Sequence, residues 1–270
     1  MNNFLFERES VLGSLRSSVF VAPSTLAHRA ATRETLEKVI AVCGVLANDD
    51  FTKTMTDAYR LGLEKFGESW GYVDITSLLY AVAELGKPKN YLEIGVRRGR
   101  SACMVAAASV ETAIYGFDMW QKDYANNGNP GANLVEAELA KVGHKGRRHF
   151  VDGDSHKTVP EFFRQNPDIN FDLITVDGDH SLSGAWDDLT TVVARLNVGG
   201  VIVFDDIDNP YCPGLLDVWE RFLATFPQLS GQTIPNPLGL GVSFAIRLTD
   251  GAAIPSEHKK QRRATWLKWR

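Results

Sequence analysis

Two short apolar runs, residues 171–176 and 199–204, each lead straight into acids, and a helical repeat lies between them. The first is followed by Asp177-Gly-Asp-His180 and the second by Asp205-Asp206. Runs this apolar and this short, closed by polar residues, read as strands buried on both faces, which is the signature of a parallel sheet. Between them Leu182, Trp186, Leu189, Val192, Val193 and Leu196 recur at helical spacing. A strand, a helix and a strand in that order take a right-handed crossover, so both strands end on the same edge of the sheet. That edge is where open α/β sheets bind ligands. Asp177, Asp205, Asp206 and His180 are therefore expected to meet in one crevice.

Oxygen ligands of this kind suit Mg²⁺ or another octahedral divalent cation better than structural zinc, which prefers Cys and His. Asp177, Asp205 and Asp206 are the expected ligands. A lone Asp at a strand end more often turns the chain or caps the next helix; two acid tips, one crossover apart, favour a site instead. Asp179 is better placed to cap the helix starting near Ser181, and Asp208-Asn-Pro210 reads as a turn.

A second constellation lies upstream in Tyr91-Leu-Glu93-Ile-Gly95-Val-Arg-Arg-Gly99-Arg-Ser101. A strand opening into a glycine turn and then a helix, here over 102–109, brings backbone N–H groups close to a ligand. The next strand, 112–118, ends in Asp118, which is 23 positions after Gly95. An acid at about this spacing accepts hydrogen bonds from ribose hydroxyls. Val96 and Arg97 stand where a dinucleotide-binding turn has its middle glycine, so a pyrophosphate is disfavoured and a nucleoside without one is favoured.

Here the chain resembles the class I S-adenosylmethionine-dependent methyltransferases, whose first motif runs acid-x-Gly-x-x-x-Gly as Glu93-Ile-Gly95-Val-Arg-Arg-Gly99 does. Within that class it is similar to the metal-dependent O-methyltransferases, which include catechol and macrolide-sugar enzymes. The resemblance covers roughly residues 68–248. It implies a doubly wound, mostly parallel, seven-stranded α/β sheet with an antiparallel last strand, placed at 238–247. It also implies S-adenosylmethionine as cofactor, with Glu93, Gly95 and Gly99 lining the methionine moiety, Ser101 beside them, and Asp118 on the ribose. Trp120 would cover the adenine face, and Asp154 and Ser155, after the third strand, would meet adenine. Asp177, Asp205 and Asp206 fall on the metal positions, with Mg²⁺ or another divalent cation expected. His180 falls where sugar-type members place a base, making His180 and Asp177 the expected catalytic pair. Two departures stand out: Asp206 replaces the Asn of the catechol type, and no lysine follows the fourth strand.

The expected reaction is methylation of a hydroxyl on a small molecule such as a sugar, polyol or catechol-like compound. A nicotinamide-dependent oxidoreductase, and a hydroxylase-type or non-catalytic relative with the same cofactor fold, are the alternatives. With 29 basic and 33 acidic residues the net charge is −4, which offers no general field for nucleic acid. Cys43, Cys103 and Cys212 are scattered, without C-x-x-C, against a disulfide framework or a cysteine-held zinc. No apolar run is long enough to span a membrane, and the N-terminus lacks a leader pattern, so a cytoplasmic enzyme is expected.

Residues 1–67 are organised differently, with helical periodicity over 32–46 and 51–66 and no strand-like alternation. They read as a helical cap or a dimerisation element, which leaves a homo-oligomer open. Gly67-Glu-Ser-Trp70-Gly-Tyr72 reads as the hinge into the catalytic domain, its aromatics near the methionine end. Residues 249–270 form a basic tail, with six basic residues and two tryptophans in the last twelve positions. His144, His149 and His156 are expected to be structural.

Overall fold

The computed structural model describes residues 6–12, 15–122, 131–236 and 240–250. Seven strands make one sheet: β3 (Asn90–Ile94), β4 (Ala113–Asp118), β5 (Arg148–Asp152), β6 (Phe171–Val176), β7 (Leu196–Asp205), β8 (Leu229–Ile234) and β9 (Val242–Arg247). Their spatial order is β5-β4-β3-β6-β7-β9-β8, parallel except for β9, which pairs antiparallel with both β7 and β8. The chain reverses direction across the sheet between β3 and β6, so the loops after these two strands border the crevice that such a reversal opens.

Alternation along the strands sends side chains into two cores. Tyr91, Ile114, Leu173, Val201, Val203, Phe244 and Ile246 face one way; Leu92, Ile94, Tyr115, Phe117, Ile174, Val176, Ile202 and Phe204 face the other. The first core is covered by α4 (Ile75–Gly86), α5 (Arg100–Ala108) and α6 (Ala132–Lys141), and by α1 (Pro23–Ala30), which meets α4, β8 and β9, with α2 (Arg33–Val45) and α3 (Asp50–Phe66) beside them. The second is covered by α7 (Ser155–Gln165), α8 (Leu182–Val192) and α9 (Leu215–Thr225). Cover on both faces explains why β6 is buried at every position and why residues 199–204 of β7 are too, as expected for central parallel strands rich in apolar residues.

The helices expected over 32–46 and 51–66 are α2 and α3, and both start where the sequence supplies an oxygen. Thr32 accepts from the Thr35 N–H and Asp49 from the Thr52 N–H. Asp74 and Ser77 close a reciprocal capping box on α4. Caps of this kind contribute about 1 kcal/mol each. The N-terminal region nevertheless departs from the all-helical reading. Residues Phe6–Leu12 and Leu15–Phe20 pair as an antiparallel hairpin, β1 and β2, with a register shift between Ser10 and Leu12. Their sequences, FERESVL and LRSSVF, mix charge and apolar residues without strict alternation, so the periodicity that reveals a half-buried strand is missing.

The expected last strand at 238–247 is β9 from Val242 onward; residues 237–239 lie outside the described residues. The basic tail over 259–270 and the first five residues also lie outside them. No helix among the described residues is long and apolar enough to cross a membrane.

Candidate active site

The glycine turn after β3 is shaped by close approach. Gly95 has φ +87°, and a Cβ there would lie 1.8 Å from the Asp177 carbonyl oxygen, so only glycine fits where the β3 and β6 loops touch. The Asp177 N–H donates to the Ile94 carbonyl at 2.9 Å, locking the two loops together. Gly99, with φ +75°, is the N-cap of α5 and has no side chain to occupy the helix end. Asp118 gathers the turn: it accepts from the Arg97 N–H at 2.6 Å and the Trp120 N–H at 2.5 Å. Trp120 donates from its indole to the Arg97 carbonyl at 3.2 Å and meets Phe150 edge-on at 6.3 Å. Arg98 and Arg100 turn instead to Asp49 at 3.5 and 3.6 Å, so the N-cap of α3 braces the glycine turn.

Glu93 is fully buried, accepts from the Ser101 hydroxyl, and keeps one carboxylate oxygen without a partner. Burial, above all, pushes its carboxyl up to about 8, against the lowering effect of Ser101. In the unfolded chain the group loses its proton near the ordinary 4.5. Between those values the folded state holds one more proton than the unfolded state, so stability falls as pH rises. Glu93→Gln is expected to remove that slope. Its melting temperature, measured from pH 5 to 8, should stay flatter than that of the wild type and exceed it at pH 8; parallel curves would show that burial does not hold the proton.

After β5, Asp154 caps α7 by accepting from the His156 N–H at 3.1 Å, and Lys157 lies 2.9 Å away. The Lys157 hydrogen bond holds the Asp154 carboxyl below its usual range. Ser155 is turned from this edge toward α8, donating to Asp188 at 2.8 Å. Asp188 is a residue that sequence reasoning missed. It is 2% exposed, and a Cβ on Gly178 would lie 3.2 Å from its second oxygen, so it sits between the loop after β5 and the Asp177–His180 loop. The available signal was an acid on the stripe of Ala185, Leu189 and Val192, the buried face of α8. His156, read as structural, lies 3.4 Å from Asp154 and 3.5 Å from Asp188. His144 is structural as expected, bonded to the Thr112 carbonyl at 2.7 Å.

The acids after β6 and β7 come together as the crossover requires. His180 Nε2 lies 3.2 Å from Asp177 Oδ1 and 3.5 Å from Asp206 Oδ2. One donor atom from each of Asp177, His180 and Asp206 falls within 4.8 Å of the others, the spread of a shared cation's ligands. Asp206 stands at φ +61°, a conformation rare for a side-chain-bearing residue, and is held there by Asn209 at 3.0 Å. Burial and the Asp177 charge push the Asp206 carboxyl up to about 6. Burial, then Asp177 and Asp206, push Asp205 well above the carboxylate range. Asp205 stands beside the trio, outside the grouping that contains His180. Asp179 accepts from the Ser181 N–H at 2.8 Å, while Ser181 itself caps α8; Asp208 accepts from the Asn236 N–H at 3.0 Å.

Two carboxylates, Asp205 and Asp206, raised by burial and then by the neighbouring Asp177, with a histidine nitrogen beside them, form a donor set that a divalent cation would relieve. The unpartnered buried oxygen of Glu93 likewise fits a donor group on a ligand.

Residues 92–207 match the family model described as a methyltransferase domain. No curated protein sequence matches the chain. Among solved structures, the chain is similar to CalS11, a TDP-rhamnose 3′-O-methyltransferase of calicheamicin biosynthesis, with 21% identity over 79% of this chain and 93% of that one, TM-score 0.50. It is similar to the O-methyltransferase TomG from Streptomyces achromogenes, solved with SAM, at 20% identity over 76% and 92%, TM-score 0.50. A putative caffeoyl-CoA O-methyltransferase from Staphylococcus aureus shares 16% identity over 74% and 100%, TM-score 0.50. These likenesses establish the fold.

Proposed function

We propose, from the premise that residues 92–207 are a methyltransferase domain, that the chain is an S-adenosylmethionine-dependent O-methyltransferase using a divalent cation to methylate a small hydroxylated molecule. The observation that carries this reading is the cluster of Asp177, His180 and Asp206 beside the glycine turn, locked to it through the Asp177 N–H and the Ile94 carbonyl. An acceptor held by the cluster lies next to a cofactor held by the turn. A dinucleotide reading is disfavoured by Val96 and Arg97 in place of a middle glycine.

Glu93, Gly95, Gly99 and Ser101 would surround the methionine portion, with the unpaired Glu93 oxygen available to its ammonium group. Asp118, which gathers the Arg97 and Trp120 N–H groups at the end of β4, would meet the ribose hydroxyls. Trp120 and Asp154 border the adenine side; Ser155, turned to Asp188, holds that loop in place. Asp177 and Asp206, with Asp205 beside them, would hold the cation. A bound divalent cation supplies positive charge that lowers the pKa of an adjacent hydroxyl. His180 then takes the hydroxyl proton, and the protein's main task is to align the oxygen with the methyl carbon, because the sulfonium loses its charge during transfer.

Asp118→Ala is expected to weaken S-adenosylhomocysteine binding by roughly tenfold to a hundredfold, the range for losing hydrogen bonds to a charged acceptor. Calorimetry giving the wild-type affinity would overturn the ribose assignment. The reading as a whole is tested by transfer of labelled methyl to a panel of phenols and polyols, with and without EDTA.

A further inference from the structure

A cavity of about 270 Å³ opens between Trp70, Gly71, Tyr72 and Val73, from the hinge before α4, and Ile234, Pro235 and Asn236, at the end of β8. The sheet register fixes where this cavity sits relative to the acids. Ile234 pairs with Val242, and Val242 pairs with Asp205, so the β8 wall stands two strands from Asp205, roughly 10 Å at the usual strand spacing. On the hinge wall the charge of Asp205 reaches Tyr72: the phenol is raised by burial first, then by Asp74, with Asp205 contributing. The cavity and the acid cluster are therefore neighbours on the same edge of the sheet.

Its walls are rigid. Trp70 and Tyr72 stack at 4.9 Å with their planes 19° apart, and Tyr59 closes on both rings edge-on at 6.2 and 5.3 Å. Trp70 lies against Gly62 of α3, where a Cβ would come within 2.2 Å of the indole. Asn236 donates to the Val73 carbonyl at 3.0 Å and hydrogen-bonds the Tyr72 phenol, tying the two walls together. With these polar groups engaged, the lining offers aromatic and aliphatic surface. Among the described residues, the lining includes no lysine, arginine or histidine.

We infer that this cavity is the acceptor subsite and that the acceptor is a small, uncharged, single-ring phenol, whose ring lies between the hinge and β8 while its hydroxyls point to the acids. This rests on the methyltransferase reading above and narrows its substrate class. Two properties decide it. A nucleotide-activated sugar or an acyl-CoA brings phosphates, which need cationic or N–H partners when they leave water, and the described lining residues supply no cation. The volume also lies below the roughly 300–1,000 Å³ of sites for drug-sized ligands, which suits one substituted ring.

The experiment compares, with the full chain and added Mg²⁺, methyl transfer from S-adenosylmethionine to three probes: free dihydroxyphenols, caffeoyl-CoA and a TDP-sugar. Binding of S-adenosylhomocysteine is measured in parallel. Transfer to the free phenols at more than about tenfold higher kcat/KM than to the other two is expected. Ile234→Phe, which fills the half-buried β8 wall, should raise the phenol KM by about tenfold and leave S-adenosylhomocysteine affinity unchanged. Tyr72→Ala should act in the same direction. Preferential methylation of the CoA ester or the TDP-sugar, or an unchanged phenol KM in Ile234→Phe with intact cofactor affinity, overturns the subsite while leaving the methyltransferase reading in place. Failure to bind S-adenosylhomocysteine overturns that reading itself.

Discussion

Asp177→Ala and Asp206→Ala are each expected to lower methyl transfer by roughly a thousandfold or more, the scale on which charge-stabilising groups act in a reaction centre. Cofactor affinity should stay near that of the wild type. The reason is the division of the site along the sheet edge. Asp177 and Asp206 converge with His180 on what the proposed reading makes the acceptor side, whereas Asp118 and the glycine turn would form the cofactor side. EDTA should reproduce the loss and Mg²⁺ should restore it in the wild type but not in the variants. Asp205→Asn separates ligand from neighbour: Asp205 lies beside the trio, so a loss as deep as that of Asp177→Ala would make it a ligand, and a shallow one would make it a source of field. Full activity after exhaustive chelation would mean that the carboxylates are structural and that hydroxyl activation has another origin.

The carboxyl-edge crevice was legible in the sequence because its determinants are local. Residues 171–176 are β6 to the residue, and the crossover through α8 delivers Asp177 and Asp206 to one place from the handedness rule alone. The Gly95 prediction likewise rests on a local need, which the structure explains through the Asp177 carbonyl pressed against it. Features that depend on a partner from elsewhere in the chain were not legible. Ser155 reads as an adenine contact until Asp188, 33 positions later, is seen to hold its hydroxyl. Arg98 and Arg100 reach Asp49, which arrives from the start of α3 about fifty positions earlier. The hairpin of β1 and β2 escaped because its strands lack the alternation that burial of one face imposes. The cavity between the hinge and β8 escaped for a related reason: it joins residues 70–73 to the end of β8, two segments more than 160 positions apart.

His180→Ala is expected to depress turnover by about a hundredfold or more near neutral pH, the usual share of general-base catalysis. The size of the effect should itself depend on pH. His180 is raised above its ordinary value, first by its hydrogen bond to Asp177, with Asp206 and Asp179 adding to it and burial opposing. A raised pKa keeps the imidazole protonated, and useless as a base, until the pH passes that value; wild-type turnover should therefore rise through it and then level. The variant must rely on hydroxide, whose concentration grows tenfold per pH unit. The ratio of wild-type to variant rates should thus be greatest and constant below the His180 pKa, where both rates climb together, and shrink as the pH rises above it. The rival role is equally concrete, because Nε2 faces both Asp177 and Asp206 and stands within the range of a shared cation's ligands. A ligand lost to alanine would weaken cation affinity and lower the rate until saturating Mg²⁺ restored it. Rate profiles taken at saturating Mg²⁺, together with a direct cation titration of both proteins, separate the two. A ratio that stays constant across pH, or a variant rescued by excess cation, would show that His180 holds the cation rather than taking the proton.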